Sequence, residues 1–145
     1  MKPVTHTFKD QESLTKTLFE LERSGRYEEA LLELSGIWRD TSLIPAVEDF
    51  EPFCASDVIL RAGSLIGFLG HHKQLPSAQE NSKNLLTEAH RRFIEIYNVK
   101  KIAECENYLA LAYCRTGEFS EAEVWTEEAL SHKLLQHDPV RLHSV

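Results

Sequence analysis

Glycine, proline, cysteine and methionine are all scarce in this chain, at 6, 5, 3 and 1 among 145 residues. Each scarcity excludes something. Three cysteines, Cys54, Cys105 and Cys114, are too few and too irregular for a disulfide framework. They point to a reducing, cytoplasmic setting in which all three behave as small buried apolar side chains. No run of 18 apolar residues occurs, so no membrane span is expected. The opening MKPVTHTFKDQ lacks the apolar core of a secretory signal. Basic residues are outnumbered, with 16 Lys and Arg against 23 Asp and Glu. The net charge of -7 lacks the basic footprint of a nucleic-acid binder. A Gly-rich phosphate loop, H-E-x-x-H, paired C-x-x-C and G-x-S-x-G are all missing. The chain is therefore expected to be non-enzymatic, with no cofactor and no metal.

What remains is helix-forming sequence with sparse punctuation. Apolar residues make up 42% and charged residues 27%, ordinary for a globular chain long enough to bury a core. Periodicity predicts six helices in three antiparallel pairs. The first covers about Gln11–Ser24, with Leu14, Leu18 and Leu21 on one face, Asp10 as N-cap and Gly25 ending it. The second covers about Tyr27–Arg39, with Ala30, Leu31, Leu34, Ile37 and Trp38 inward. Pro45 and Pro52 break a connector, Thr41–Pro52. Its Leu43, Ile44, Val47 and Phe50, with the adjoining Phe53, are apolar enough to pack back on the body. The third helix covers about Ala55–Gly70, where Gly63 and Gly67 imply close helix approach. The fourth covers about Ser77–Tyr97, the fifth starts at about Val99 or Lys100 and runs to Thr116, and the sixth covers about Ser120–Gln136. Ser120 and Glu123 have the spacing of a capping box, and Pro139 stops the last helix.

The glycines Gly25, Gly70 and Gly117 recur at similar intervals, and so does a phrase. RSGRYEEALLELSGIW near the start echoes CRTGEFSEAEVWTEEAL near the end. Helix pairs repeated in this way stack, because one hairpin cannot bury both faces alone. Leu109-Ala110-Leu111-Ala112-Tyr113, then Gly117, Phe119, Ala122, Ala129 and Leu130, resembles the tetratricopeptide repeat family. Gly25, Tyr27 and Ala30 resemble it more weakly. The chain departs from the family in its longer repeats, in Glu106 where the family has Trp, and in a late Pro139. The resemblance implies an all-α, right-handed superhelical array of about three antiparallel helix pairs. Its repeats would cover about 11–40, 53–98 and 99–138 of a single domain spanning 1–145.

The same resemblance implies a concave groove lined by the first helix of each pair. That face would offer Thr15, Phe19, Glu22 and Arg23, then Leu60, Arg61, Ser64 and Phe68, then Asn107, Leu111 and Arg115. Arg23, Arg61, Ser64, Phe68, Asn107, Leu111 and Arg115 are the candidate partner-binding residues. The Lys and Asn clusters that grip a peptide C-terminus in one subtype are missing, so an internal extended or helical segment is the expected ligand. Charge is uneven, with a net-positive middle between two net-negative ends. Arg91, Arg92, Lys100 and Lys101 could form a patch for an acidic peptide. Glu118, Glu121, Glu123, Glu127 and Glu128 read as a solvated acidic face. His71, His72 and His90 read as polar surface residues, and His132 and His137 are poorly spaced for one helix face.

The expected function is a protein-interaction module or scaffold that holds a peptide or helix of another protein. Self-association is one alternative, making the chain a homodimerising regulatory part of a larger signalling or transcription regulator. The tail HDPVRLHSV, with no polar capping helix, suits such a fragment. A ligand-sensing domain with a pocket under Phe50 and Phe53 is the other.

Overall fold

The computed structural model describes residues 8–136, which form six helices and, among the described residues, no strand. They are α1 (Phe8–Arg23), α2 (Tyr27–Leu34), α3 (Pro52–Lys73), α4 (Ala78–Glu95), α5 (Val99–Arg115) and α6 (Phe119–Gln136). The protein is all-α. Consecutive helices pair as α1 with α2, α3 with α4 and α5 with α6. The pairs meet through α1 on α3, α3 on α5, α2 on α3 and α4 on α5. Pro139, His137 and the tail lie outside the described residues.

Two of the three hairpin turns follow the expected chemistry. Gly25 and Gly117 take φ of 74° and 77°, a conformation that costs glycine little. The middle turn differs. Gly70 does not end α3, which runs on through His71, His72 and Lys73 to a left-handed Gln74 at φ 52°. Gly70 serves packing instead: a Cβ there would sit 2.1 Å from Ala78 Cβ at the start of α4. Gly63 has the same role deeper in the pair, where a Cβ would meet Leu86 Cγ at 2.9 Å. The backbones of α3 and α4 therefore approach closely, and Ser82 Oγ donates to the Gly63 carbonyl across the gap at 2.7 Å.

α3 is the centre of the molecule. Every residue from Cys54 to Gly67 is buried. By length and composition α3 could cross a membrane, at a mean hydropathy of 1.4, but most of that stretch is covered by other helices of the protein. A helix apolar on nearly all sides is what the middle of a helical stack requires. It starts at Pro52 rather than Ala55, because proline suits the first turn and Glu51 caps it by accepting from Cys54 N at 3.2 Å. Asn98 caps α5 likewise, accepting from Lys101 N. Asp10 and Ser120 prove to lie inside the first turns of α1 and α6, not at caps.

α2 is shorter than its apolar spacing predicts. It stops at Leu34, and Ser35 Oγ bonds back to the Leu32 carbonyl before Gly36. Trp38 is still buried, but from a turn, and its indole N–H donates to the Leu43 carbonyl at 2.8 Å. This bond pins the connector, whose Val47 and Phe50 enter the core while Phe53 is half-buried. Leu43 and Ile44 remain exposed, contrary to expectation, because the chain turns outward there. Cys54 and Cys105 are buried as expected, but Cys114 is exposed.

Close packing at Gly70 makes a clear demand. Gly70→Ala should cost about 1–3 kcal/mol in urea unfolding, since Ala78 Cβ cannot swing away without moving α4. Gly36→Ala meets nothing within 4 Å and should change stability by less than about 0.5 kcal/mol.

Candidate functional site

A cavity of about 320 Å³ opens between the first helices of the three pairs. α1 contributes Phe19, Glu22 and Arg23; α3 contributes Arg61, Ser64 and Phe68; α5 contributes Glu104, Tyr108, Leu111 and Arg115. Tyr27, the first residue of α2, completes the wall. The helical spacing explains the set. Residues four or three apart recur on each inner face, such as Arg61, Ser64 and Phe68, or Glu104, Tyr108, Leu111 and Arg115.

Six of the seven candidate residues meet here: Arg23, Arg61, Ser64, Phe68, Leu111 and Arg115. Asn107 is exposed and lies outside the cavity. Of the wider face, Leu60 is fully buried, and Thr15 borders a different hollow with Phe53 and Cys54. Tyr27, Glu104 and Tyr108 were not anticipated. Glu104 and Tyr108 could have been found by continuing the Leu111 and Arg115 face one and two turns back.

Arg61 is not the free groove cation that its sequence position suggests. It is 3% exposed and sits among carboxylates from three helices. Its Nη1 pairs with Glu22 Oε2 and its Nη2 with Glu104 Oε2 at 2.6 Å, while Asp57 lies one turn away at 3.8 Å. Burial opposes the guanidinium charge, but Glu104, Asp57 and Glu22 more than offset this and raise its pKa. Ser64 also donates to Glu22, and Tyr108 reaches the same carboxylate at 3.2 Å. Lys101 joins Asp57 and Glu104 from below, at 2.8 and 3.2 Å. The floor of the cavity is thus a fixed ionic lattice joining α1, α3 and α5. Burial, then the nearby Glu22 charge, pushes the Tyr108 phenol well above its ordinary range, so it stays a neutral donor.

The remaining cations differ. Neither Arg23 nor Arg115 has a carboxylate partner among the described residues. Arg115 is half-buried, and burial lowers its pKa from the ordinary arginine value. Its Nη1 lies over Gly67, where a Cβ would come within 2.9 Å. Above the floor, Tyr27 and Phe68 stack at 3.8 Å between centroids. Phe19 and Leu111 are each 44% exposed, so the rim is apolar and accessible.

The other sequence candidates are largely neutralised. Arg91 pairs with Glu88 and Glu95, Arg92 with Glu88, and Lys101 with Asp57 and Glu104. No open basic patch survives at these positions beyond exposed Lys100. Glu118 of the acidic run is tied to the buried Lys83. A second cavity of about 300 Å³, beside Phe50, is lined by Arg91, Arg92 and Glu95, which belong to these closed pairs. Burial, then Glu51, pushes the Cys54 thiol up to about 11, and burial raises Cys105 as well, so both stay protonated thiols. His90 and His132, which sequence spacing did not bring together, converge on the buried Glu106 at 2.9 and 2.6 Å. Comparison of the chain with family models, curated proteins and solved structures finds no match.

Arg61→Met removes the cation at the centre of the buried lattice, leaving Glu22 with no cationic partner and Asp57 and Glu104 with Lys101 alone. It should cost about 3–5 kcal/mol in denaturant unfolding, whereas Arg23→Ala on the exposed rim should stay within about 0.5 kcal/mol.

Glu88 gives a pH signature. Arg91 chiefly, against burial and with help from Arg92, pulls its pKa from 4.5 to about 2. The unfolded chain thus binds the proton more tightly, so this stabilisation is complete above about pH 4.5 and lost as pH falls towards 2. Glu88→Gln should therefore be less stable than the parent at pH 7, with the two stabilities converging as pH falls through that window.

Proposed function

We propose that the protein is a non-enzymatic interaction module of tetratricopeptide type, a right-handed array of three helix pairs with a concave binding groove. The packing order supports this reading. Each pair meets the next through its first helix, and the second helix of one pair also packs on the first helix of the next. Second helices make no contact with one another among the described residues. This order of contacts supports a stacked solenoid, in which the inner face would belong to the first helices. Three free thiols favour a cytoplasmic setting.

The observation that carries the reading is the cavity itself, where two arginines with no carboxylate partner among the described residues stand beside exposed Phe19 and Leu111. A half-buried, uncompensated guanidinium is costly unless an anion completes it. The groove therefore suits a peptide or helix that places an Asp or Glu side chain against Arg115 and an apolar side chain on the Phe19 and Leu111 rim. The closed lattice around Arg61 is the rigid floor of this site rather than its anion receptor. Keeping that floor ordered before binding limits the conformational entropy lost on association.

A fluorescence-polarisation screen of acidic–aromatic peptides tests this. Binding should weaken with added salt, and Arg115→Glu should reduce affinity at least about tenfold without changing the helical circular dichroism signal. Unchanged affinity in a folded Arg115→Glu variant would refute the groove as the binding site.

A further inference from the structure

The second concentration of chemistry lies on the opposite side of the last two pairs, where α4, α5 and α6 meet. Glu106 on α5 is 2% exposed, and both carboxylate oxygens face imidazoles. His90 Nε2 on α4 lies 2.9 Å from Oε2, and His132 Nδ1 on α6 lies 2.6 Å from Oε1. Glu128 stands one turn before His132 on α6, so the two share a face. Ligand atoms of Glu106, Glu128 and His132 all lie within 4.8 Å of one another. His90 is held edge-on against Trp125, with ring centroids 5.3 Å apart.

The charge balance is unusual. Among the described residues, no Lys or Arg pairs with Glu106; its ion partners are His90 and His132 alone. Glu106 and Glu128 bring two carboxylates to one place, and Glu106 is nearly removed from water. A buried carboxylate needs a compensating charge. A divalent cation can supply that charge, and the donor set states which kind. One imidazole nitrogen with two carboxylates is mixed nitrogen and oxygen, unlike the all-oxygen shells of Ca²⁺ and Mg²⁺. It matches Zn²⁺ and its first-row neighbours, which take His and Glu together.

We propose that Glu106, Glu128 and His132 form a binding site for a divalent transition-metal ion, with Zn²⁺ the fitting occupant. Glu106 Oε1, a Glu128 oxygen and His132 Nδ1 are the ligands, and the remaining position faces solvent on the exposed Glu128 side. His90 is a positioning residue: it holds Glu106 through Oε2, and Trp125 holds His90, as outer partners orient a metal carboxylate. Ligands drawn from within 4.8 Å close to coordination distance by rotation of Glu128, which is exposed and free to move. His132 offers Nδ1 to the ion as a lone pair, with the proton of the neutral ring carried on Nε2. Two ligands lie on α6 and one on α5, so the ion staples the last hairpin.

The test uses the full chain, stripped with EDTA and dialysed. Calorimetric titration with ZnCl₂ should give one ion per chain at micromolar affinity or tighter, and CoCl₂ should produce the visible absorption of a four- or five-coordinate ion. Glu128→Gln, at an exposed position that leaves the fold intact, and His132→Gln should each weaken Zn²⁺ at least about tenfold, and His90→Gln about tenfold. A double variant, His71→Ala with His72→Ala, should bind as the parent does. The proposal is overturned by an absence of micromolar Zn²⁺ binding. It is equally overturned if Glu128→Gln and His132→Gln bind like the parent, or if the His71/His72 variant is the one that loses the ion.

Discussion

A single buried guanidinium sets the terms for the rest of the molecule. Arg61 lies in the middle of the central helix, nearly removed from water, and its charge survives only because α1 supplies Glu22, α3 supplies Asp57 and α5 supplies Glu104. These carboxylates come from the first helix of every pair. None of those helices can shift along another without stranding a desolvated charge, and stranding one costs far more than an ordinary surface pair. Apolar burial drives the stack together, but it is tolerant of sliding. The ionic lattice supplies direction, and it leaves the groove above it with a fixed depth.

From that constraint follows a division among the arginines. Arg61 is ion-paired and structural, while Arg115 and Arg23 stand at the same cavity without acidic partners among the described residues. The cations left without a carboxylate therefore lie at the edges of the cavity, next to the exposed Phe19 and Leu111, and not at its centre. The cluster around Glu106 repeats the theme with a different outcome. There the desolvated charge is a carboxylate and its neighbours are imidazoles, which is why we propose a cation at that place.

Much of the fold was legible because helix signals are local. Leucine spacing, Gly25 and Gly117, and the prolines around the connector located all six helices. The errors fall where tertiary contacts override local rules. Gly70 looked like a third helix terminator, yet it exists to let Ala78 approach, and nothing within α3 announces that. Trp38 fitted the apolar stripe of α2, but the chain turned at Gly36 and Trp38 reached the core from a loop. Six of seven candidate groove residues came together because helical periodicity, once the pairing order was assumed, fixes which side chains share a face. What periodicity could not reveal was pairing. Arg61 looked like a free cation because Glu22 lies 39 residues away. His90, Glu106 and His132 looked unrelated because three separate helices carry them. Charge partners across helices depend on register and rotation, and neither is written in composition or spacing.

The central claim is that α1 and α5 are joined through Arg61. A double-mutant cycle on Glu22→Gln and Glu104→Gln, read by urea unfolding, addresses it directly. The two carboxylates lie on different helices and both pair with Arg61. The account predicts a coupling energy of at least about 0.5 kcal/mol, because losing the second carboxylate leaves Arg61 poorer than losing the first. Strictly additive effects would mean that the two carboxylates act independently, and would contradict a lattice that ties the three first helices together.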